Sequence, residues 1–373
     1  MRKNKIRPRL LMIAPLPPPV HGSAMVTKYI KDSELINSKF NLDWVNLSTS
    51  RSMNEIGKRN PKKIFRFLGA YIKTFWKLIS SHYDACYLAI TCHGPGFLKD
   101  APFALLCRLF GNRIIIHQHN KGMSKDANKP IYKFLLRSVY KKAKVILLSE
   151  RLYPDISSIV DHSQVVICPN GIPETEVGIH NDNSIPRILF LSNLIKSKGV
   201  TTLLDACQIL KKEGYKFTCN FVGGETQEIT KEIFESEVKS RGLDHIVSDK
   251  STYISYLGRK YGEDKNKIIA QSDIFVFPTT YHNECFPVVL LEAMQQSKAI
   301  ITTQEGGIPD IVPDGECGII VHDNTPETLA KKIALLIDNP SLRQELGRNA
   351  YKRYKECLTL GSFEKNILSA LMP

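Results

Sequence analysis

The chain has 373 residues, 43% hydrophobic and 24% charged, which is typical of a globular protein and excludes a largely disordered one. No run of about 18 apolar residues occurs, so a membrane-spanning helix is not expected. The nine cysteines are scattered without a C-x-x-C pair. They favour reduced thiols in a cytosolic protein over disulfides or a zinc site. The length is sufficient for two domains.

The positive charge is concentrated in the first part of the chain. Residues 1–150 carry 27 Lys/Arg and 8 Asp/Glu, whereas the whole chain has a net charge of +14. This asymmetry indicates an anionic partner, either nucleic acid or an anionic membrane face. Residues 51–80 interleave basic residues with aromatic and aliphatic ones, a pattern typical of an amphipathic helix lying on a membrane. A core helix with a solvated basic face is the alternative.

The first predicted strand spans residues 9–14, and a proline-rich loop leads from it to a helix predicted over 25–30. Gly22 and Ser23 lie at the end of this loop. A glycine that opens a helix lets the backbone approach a phosphate, and a rigid proline turn is the alternative. No G-x-G-x-x-G follows the strand, which counts against a dinucleotide-binding enzyme.

Two further buried parallel strands are predicted over 83–90 and 112–116. The second ends in His117-Gln118-His119-Asn120, and ligands of open α/β sheets bind outside the carboxyl ends of the strands. Substrate contact by one of the two His, a structural role and metal binding all stay open. Without a nearby Cys or carboxylate, however, H-x-H is weak evidence for zinc. Residues 174–186 are polar and aperiodic, which predicts a linker.

Strand–helix alternation continues through the second half and predicts a second doubly wound α/β domain. The strands predicted there, apart from the one that begins at Asp273, are 188–191, 217–222, 253–258, 299–302 and 319–321. The helices predicted there, apart from the one near Val288, are 200–212, 226–241, 261–271, 326–338, 340–355 and 362–371.

The most informative stretch is 273–293. An apolar run ending at Pro278 predicts a buried strand, a polar loop follows, and Pro287 is predicted in the first turn of a helix. Glu284 falls in the loop and Glu292 inside the helix. A strand, a loop and a helix N-terminus form an anion site, whereas carboxylates beside it suit hydroxyl groups. Hydroxyls and phosphate on one ligand suggest a sugar nucleotide.

Glu284 and Glu292 form an E-x7-E pattern within Glu-Cys-Phe-Pro-Val-Val-Leu-Leu-Glu. In this loop–helix context the chain resembles the retaining GT-B glycosyltransferases of glycosyltransferase family 4, most strongly over 187–325. The resemblance implies an α/β GT-B fold with two doubly wound Rossmann-like domains facing each other across a cleft. The implied parts are an acceptor-side domain, a nucleotide-sugar-binding domain and a helix returning to the first domain, at 1–175, 176–355 and 356–373.

The resemblance also implies roles for individual residues. Glu292 would hold the ribose hydroxyls of the nucleotide, Glu284 would contact the donor sugar, and Lys198 of the Lys198-Gly199 pair would bind the diphosphate. A cation suits this position because the leaving nucleoside diphosphate gains negative charge as the bond breaks. The residues that would meet the sugar hydroxyls and phosphate are Cys285, Phe286, Pro287 and Val288.

In the first domain, Gly22 and Ser23 would close over the diphosphate, and His119 would lie near the reacting sugar. Two departures from the family pattern stand out. Many members carry Gly-Arg where this chain has Ser192-Asn193, so Asn193 takes the place of a phosphate-binding arginine, and Lys196 or Arg259 is the candidate substitute. Asn120 replaces a usual glycine.

The expected function is transfer of a sugar from a UDP- or GDP-sugar to a hydroxyl of a glycan acceptor, with retention and without a metal or cofactor. His119, Glu284 and Lys198 are the predicted catalytic residues. The acceptor is expected to be a lipid-linked intermediate of bacterial cell-surface polysaccharide synthesis. The basic first domain would then contact an anionic membrane from the cytoplasmic side, and no nucleic acid would bind. The alternatives are a sugar-nucleotide epimerase of the same fold and a basic nucleic-acid-binding protein.

Overall fold

The computed structural model describes residues 7–18, 22–48, 61–178, 185–244, 246–247 and 251–372. The chain divides into two compact units. The N-terminal unit comprises Met1–Gly171 together with Leu360–Pro373, and the C-terminal unit comprises Ile172–Thr359. Part of the predicted linker, and the first ten residues of the predicted basic amphipathic helix, lie outside the described residues.

The N-terminal unit contains a sheet of six parallel strands in the order β2-β1-β3-β4-β5-β6. They are β1 (Arg9–Ala14), β2 (Asn41–Asn46), β3 (Ala85–Leu88), β4 (Arg113–His117), β5 (Lys144–Leu147) and β6 (Val165–Ile167). Five of the six were predicted from the sequence, over residues 9–14, 83–90, 112–116, 143–149 and 165–168. The edge strand β2 was not, because it is only partly buried and carries polar residues such as Asn41 and Asp43.

The helices of the N-terminal unit that precede its last strand follow the same alternation. They are α1 (Gly22–Asp32), α2 (Glu34–Lys39), α3 (Pro61–Ser80), α4 (Gly94–Leu109), α5 (Met123–Asp126), α6 (Pro130–Tyr140) and α7 (Tyr153–Ile156). Local sequence sets several of their starts. Pro130 opens α6, where its missing N–H costs nothing, and the Ser33 hydroxyl caps α2 by accepting from the Ile36 amide.

The C-terminal unit contains a second sheet of six parallel strands, in the order β11-β8-β7-β12-β13-β14, and a two-stranded antiparallel ribbon of β9 and β10. They are β7 (Arg187–Leu191), β8 (Thr218–Val222), β9 (Ile246–Val247), β10 (Ser251–Thr252), β11 (Ile254–Tyr256), β12 (Ile274–Phe277), β13 (Ala299–Thr303) and β14 (Ile319–Val321).

The helices of this unit are α8 (Val200–Lys212), α9 (Lys231–Ser240), α10 (Gly262–Gln271), α11 (Val288–Gln295), α12 (Ile308–Ile311), α13 (Pro326–Asp338) and α14 (Pro340–Cys357). Three of them begin later than predicted, and for α10 the difference is a single residue. Helix α9 begins five residues after the predicted 226, because the Thr230 side chain caps it by accepting from the Ile233 amide. Helix α11 begins at Val288, so Pro287 is the N-cap residue and not part of the first turn.

The last helix, α15 (Leu360–Leu371), belongs to the N-terminal unit. Its residues Phe363, Ile367 and Leu371 are buried in the same core as the strands of that unit. The Arg113 guanidinium on β4 also donates to the Leu371 carbonyl at 2.8 Å. The predicted return of a C-terminal helix to the first domain is confirmed. Within the predicted segment 356–373 the helix begins only at Leu360, because α14 continues to Cys357.

Strand order determines where a ligand fits in each unit. From β7 the chain proceeds to β8 and β11 on one side, then returns to β12 on the other side of β7. The loops after β7 and β12 therefore diverge at a topological switch point, where open α/β sheets bind ligands. In the N-terminal unit the corresponding point lies between β1 and β3. Among the helices of the described ranges, none has the length and apolar character needed to cross a membrane.

Candidate active site

The two loops at the switch point of the C-terminal unit bring together two predicted residues, Lys198 and Glu284. Lys198 follows β7 and Glu284 follows β12, and their side chains form an ion pair. Only 14% of the Lys198 side chain and 11% of the Glu284 side chain are exposed. This ion pair is therefore largely shielded from water. It places one cation and one anion side by side at the edge of the sheet where a ligand is expected.

The loop that carries Lys198 is held against the loop after β12. Residues Lys196–Lys198 form a short 3-10 turn, and Gly199 follows in a left-handed conformation with φ of 92°. A side chain at Gly199 would overlap the Pro278 carbonyl, so glycine is required there. The Thr280 amide donates to the Ser197 carbonyl at 2.7 Å. The Lys-Gly pair thus fixes the lysine against the neighbouring loop.

Two aromatic rings complete the surroundings of Lys198. Its Nζ lies 4.4 Å from the centroid of the Tyr281 ring and 5.5 Å from that of Phe277. At these distances the rings attract the ammonium group. Neither ring was predicted to belong to the site, because cation–π partners carry no sequence motif.

The Glu284 loop rests on the glycines that precede α12. Gly306 has φ of 54°, and a side chain there would overlap the Glu284 carbonyl. The Gly307 amide donates to the Cys285 carbonyl at 2.8 Å. Beyond Glu284 the chain is buried through Cys285, Phe286 and Pro287, and Val288 is partly exposed as α11 begins. The Gly306-Gly307-Ile308-Pro309 stretch therefore packs against and supports the loop that carries Glu284.

Asn193 and Arg259 meet at Gly224, in loops that follow β7, β11 and β8. The Asn193 side-chain oxygen accepts from the Gly224 amide at 3.2 Å, and a side chain at Gly224 would overlap the Arg259 guanidinium. Asn193 thus ties two loops together by its oxygen. Arg259 is exposed and lies beside them.

Glu292 lies on α11 and pairs with Lys265 on α10, with Lys265 Nζ 2.6 Å from Glu292 Oε1. Lys265 was not predicted, since a single lysine in a charged helix gives no distinguishing pattern. Asn283 was also missed. Its buried side-chain oxygen has no hydrogen-bond partner among the residues that the structure describes, although buried acceptors normally have one. This oxygen is adjacent in sequence to Glu284 and is suited to a ligand hydroxyl.

In the N-terminal unit, Gly22 and Ser23 form the first turn of α1, which begins three residues before the predicted start at Met25. They follow the loop after β1, beside that unit's switch point. His119 lies two residues beyond the end of β4 and is partly buried. The structure therefore places these three residues after the carboxyl ends of β1 and β4, as predicted.

His119 packs on a buried histidine, His117, with ring centroids 4.1 Å apart. His117 Nδ1 shares a hydrogen bond of 2.7 Å with the Tyr87 hydroxyl. Burial lowers the pKa of His117 well below its ordinary value, and the neighbouring His119 lowers it further. His117 is therefore neutral at physiological pH and gives His119 an uncharged surface on which to stack.

Within the described ranges, no group of three or more His, Cys, Asp or Glu side chains is arranged to hold a metal ion.

Two doubly wound parallel α/β units and a last helix that returns to the first are characteristic of GT-B-type proteins. Residues 172–353 match a family model described as glycosyl transferases group 1. The matched segment coincides with the C-terminal unit apart from its last few residues.

Two proteins named as glycosyltransferases are similar to this chain in sequence. Over 255 residues the chain is 27% identical to an uncharacterized glycosyltransferase of Methanocaldococcus jannaschii, covering 68% of this chain and 65% of that protein. Over 184 residues it is 30% identical to the capsular polysaccharide biosynthesis glycosyltransferase CapM of Staphylococcus aureus, covering 49% of this chain and 44% of CapM. The chain spans less than two thirds of the length of either relative.

Solved structures resemble the chain over nearly its whole length. A glycosyltransferase from Rickettsia africae has a TM-score of 0.75 at 15% identity, with 97% of each chain covered. Anabaena HepE in complex with UDP has a TM-score of 0.73 at 15% identity, with 98% of this chain and 99% of HepE covered. The predicted α/β fold of the GT-B type is thereby confirmed.

Proposed function

We propose that the protein is a glycosyltransferase that moves a sugar from a UDP- or GDP-sugar to a hydroxyl of a glycan acceptor. The observation that carries this proposal is the ion pair of Lys198 and Glu284 at the switch point of the C-terminal unit. A diphosphate needs a cation, and a sugar needs hydrogen-bond acceptors. This pair offers both groups at one place.

Ligand binding would exchange the partners of both residues. The diphosphate of the donor takes over Lys198, and Glu284 is then released to accept hydrogen bonds from sugar hydroxyls. As the glycosidic bond breaks, negative charge develops on the diphosphate, and the ammonium group stabilises it in a site that is largely shielded from water. Lys198 thus contributes more in the transition state than in the ground state.

Glu292 has an analogous role towards the nucleotide. A carboxylate accepts hydrogen bonds from both hydroxyls of a ribose, and Lys265 supplies a neutralising charge beside Glu292. The unsatisfied oxygen of Asn283 adds an acceptor beside Glu284. An acceptor-rich site around one cation suits a ligand that is mostly hydroxyl groups with one charged diphosphate.

Further parts of the proposal concern stereochemistry and partners. We assign retention of anomeric configuration and metal independence, with His119 near the reacting sugar, following the resemblance to family 4. The acceptor is assigned to a lipid-linked glycan of a cell-surface polysaccharide, and CapM is named for capsular polysaccharide biosynthesis. For the donor, the HepE structure contains UDP.

Thermal unfolding with a panel of nucleotide sugars tests the donor. Only a ligand that binds the folded state raises the unfolding midpoint. At 100 times its dissociation constant it adds about 2.7 kcal/mol to the free energy of unfolding. UDP- or GDP-sugars should raise the midpoint, and the Lys198→Ala protein should show a smaller rise. If no nucleotide sugar shifts the midpoint at millimolar concentration, the proposal fails. The stabilising donor, labelled in the sugar, then identifies the acceptor in lipid and glycan extracts.

A further inference from the structure

Helix α3 is the least covered of the long helices in the N-terminal unit. Of its 20 residues only Thr74 and Leu78 are buried. Large apolar side chains project into solvent from the rest, with exposed fractions of 40% or more. They are Ile64, Phe65, Leu68, Ile72, Phe75, Trp76 and Ile79. An isolated exposed apolar residue needs no explanation, but seven on one helix do.

The exposed side chains form one stripe, because they recur at intervals of three and four residues. A different side of α3 attaches it to the protein. Phe67 and Tyr71 each pack on Phe103 of α4 with ring centroids 5.5 Å apart. Lys77 Nζ forms an ion pair of 2.7 Å with Asp43 on β2. The stripe is thus presented outward by a helix that is anchored along its inner side.

The apolar surface continues onto the two neighbouring helices. Phe110, directly after α4, stacks edge-on against Phe75 with centroids 6.2 Å apart, and the adjacent Leu109 is 81% exposed. On α6, Ile131 and Phe134 are 73% and 70% exposed. Helix α6 packs on α4, which also packs on α3. We call the exposed apolar residues of α3, α4 and α6, together with Phe110, the apolar face.

The charges on α3 and α6, which carry most of the apolar face, have one sign. Helices α3 and α6 contain no Asp or Glu at all. Lys62 and Lys73 on α3, and Lys133 and Arg137 on α6, are exposed. In the C-terminal unit the exposed large apolar residues of the described ranges are few and lie on separate elements: Val177, Ile233, Tyr261 and Leu335. The apolar and the basic character therefore coincide on the N-terminal unit.

We propose that the apolar face is the surface by which this protein docks on an anionic lipid bilayer. Helix α3 lies in the plane of the membrane, with its stripe inserted at the boundary of headgroups and acyl chains, and the flanking lysines bind lipid phosphates. A second copy of the chain is a less suitable occupant. Face-to-face pairing would bring together two basic surfaces whose α3 and α6 helices offer no carboxylate to neutralise them.

The proposal concerns a different surface from the donor site, so it can be tested without any sugar nucleotide. The chain has two tryptophans, and one of them, Trp76, lies in the stripe with 63% of its surface exposed. Replacing the other by Trp44→Phe makes Trp76 the sole reporter. Vesicles of phosphatidylglycerol mixed with phosphatidylcholine should shift its emission to shorter wavelength, and brominated lipids should quench it. Unchanged emission in both experiments overturns the proposal.

Co-sedimentation separates the apolar and the charged contributions. The intact chain should bind phosphatidylglycerol vesicles at low salt and dissociate at high salt, and pure phosphatidylcholine should bind it weakly. Phe65→Ser with Ile72→Ser, and separately Lys62→Glu with Lys73→Glu, should each lower the vesicle partition coefficient at least about tenfold. The matched control pair Ile233→Ser and Leu335→Ser, in the C-terminal unit, should leave it unchanged.

These variants alter exposed residues, so their unfolding midpoints should stay close to that of the intact chain, which separates lost binding from lost folding. Light scattering resolves the competing occupant. If the α3 variants convert a dimer into a monomer while vesicle binding persists, the face is a self-association surface and the membrane proposal is wrong. Equal binding to neutral and anionic vesicles at all salt concentrations also contradicts it.

Discussion

At the scale of single residues, the charge of Lys198 is compensated by its neighbours within the protein. Its ammonium group is neutralised by Glu284 and attracted by the Tyr281 and Phe277 rings, so the buried charge is compensated before any ligand arrives. A diphosphate brings two or more negative charges to the same place and can outcompete a single carboxylate. Under the proposed function, ligand binding would then free Glu284 to accept hydrogen bonds from the donor sugar.

Lys198→Ala should therefore affect turnover more than binding. We expect kcat for sugar transfer to fall about 100- to 1,000-fold, because a charge that stabilises the leaving group is lost, and donor affinity to fall less. The measurement is steady-state kinetics with the donor and acceptor from the screens described above. Lys212→Ala, at the far end of α8, is the control and should match the intact chain. A Lys198→Ala enzyme with normal kcat would exclude this role.

Asp43 gives a residue-scale prediction about pH. Partial burial would raise its pKa, but hydrogen bonds from Lys77, Arg9 and Tyr83 outweigh burial and lower the pKa to about 2. An unfolded Asp has a pKa of about 3.9, so the folded state binds fewer protons between these values. The stability contributed by Asp43 is present above about pH 4 and is lost as the pH falls towards 2.

Asp43→Asn should accordingly cost about 1–2 kcal/mol of unfolding free energy at pH 7, a range reduced for partial exposure to solvent. The loss should shrink as the pH is lowered towards 2. Urea unfolding of the N-terminal unit from pH 7 to pH 3 provides the measurement, with the exposed Asp244→Asn as the control. A difference that stays constant over this range would show that the carboxylate charge is not responsible.

At the scale of elements, glycines determine how closely the loops of the C-terminal unit approach one another. Gly199, Gly223 and Gly306 all have positive φ and lie against backbone carbonyls of a neighbouring loop. A side chain at any of them would combine a strained conformation with steric overlap. Most of the loops that carry the candidate donor residues are thus joined by contacts that only glycine permits.

Gly306→Ala tests this dependence. The new methyl group would overlap the Glu284 carbonyl, so the loop must shift, and we expect at least about a tenfold loss of nucleotide affinity. Gly315→Ala is the matched control. Its φ of 74° is equally unfavourable for alanine, but no atom lies within 4 Å of the added methyl group. It should cost about 1–2 kcal/mol of stability and leave nucleotide binding intact. Equal affinities of the two variants would refute the packing argument.

Element prediction from the sequence succeeded where burial and local signals agree. The bounds of α8, α13 and β14 were predicted without error, since each is a regular apolar pattern between clear turn or capping residues. The edge strand β2 was missed because few of its residues are buried. The sequence also predicted an amphipathic helix around α3, but which of its sides faces solvent depends on Phe103 and Asp43, which come from other elements.

At the scale of the whole molecule, two units of the same architecture carry different charges and surfaces. The N-terminal unit holds the excess of basic over acidic residues and the apolar face, and the C-terminal unit holds the paired carboxylates and lysines of the candidate donor site. Under the two proposals, one unit binds a lipid surface and the other binds a nucleotide sugar. The last helix ties the end of the chain to the N-terminal unit by core packing.

The candidate donor residues could be named from sequence, but their pairing could not. Lys198 and Glu284 are 86 positions apart, and only the adjacency of β7 and β12 brings them together. The partnership of Glu292 with Lys265 likewise depends on α10 packing against α11. Such contacts are set by strand order and helix packing, so no local motif predicts them.

Nucleotide binding to the intact chain tests the central claim most directly. UDP and GDP are titrated calorimetrically into the intact chain, into Glu292→Ala, and into Glu263→Ala, which removes an exposed carboxylate on α10, the helix that carries Lys265. We predict that one of the two nucleotides binds the intact chain and the control with equal affinity. Its affinity for Glu292→Ala should be at least about tenfold lower, a loss of about 1.4 kcal/mol. Binding of neither nucleotide, or equal binding to all three proteins, would contradict the proposed donor site.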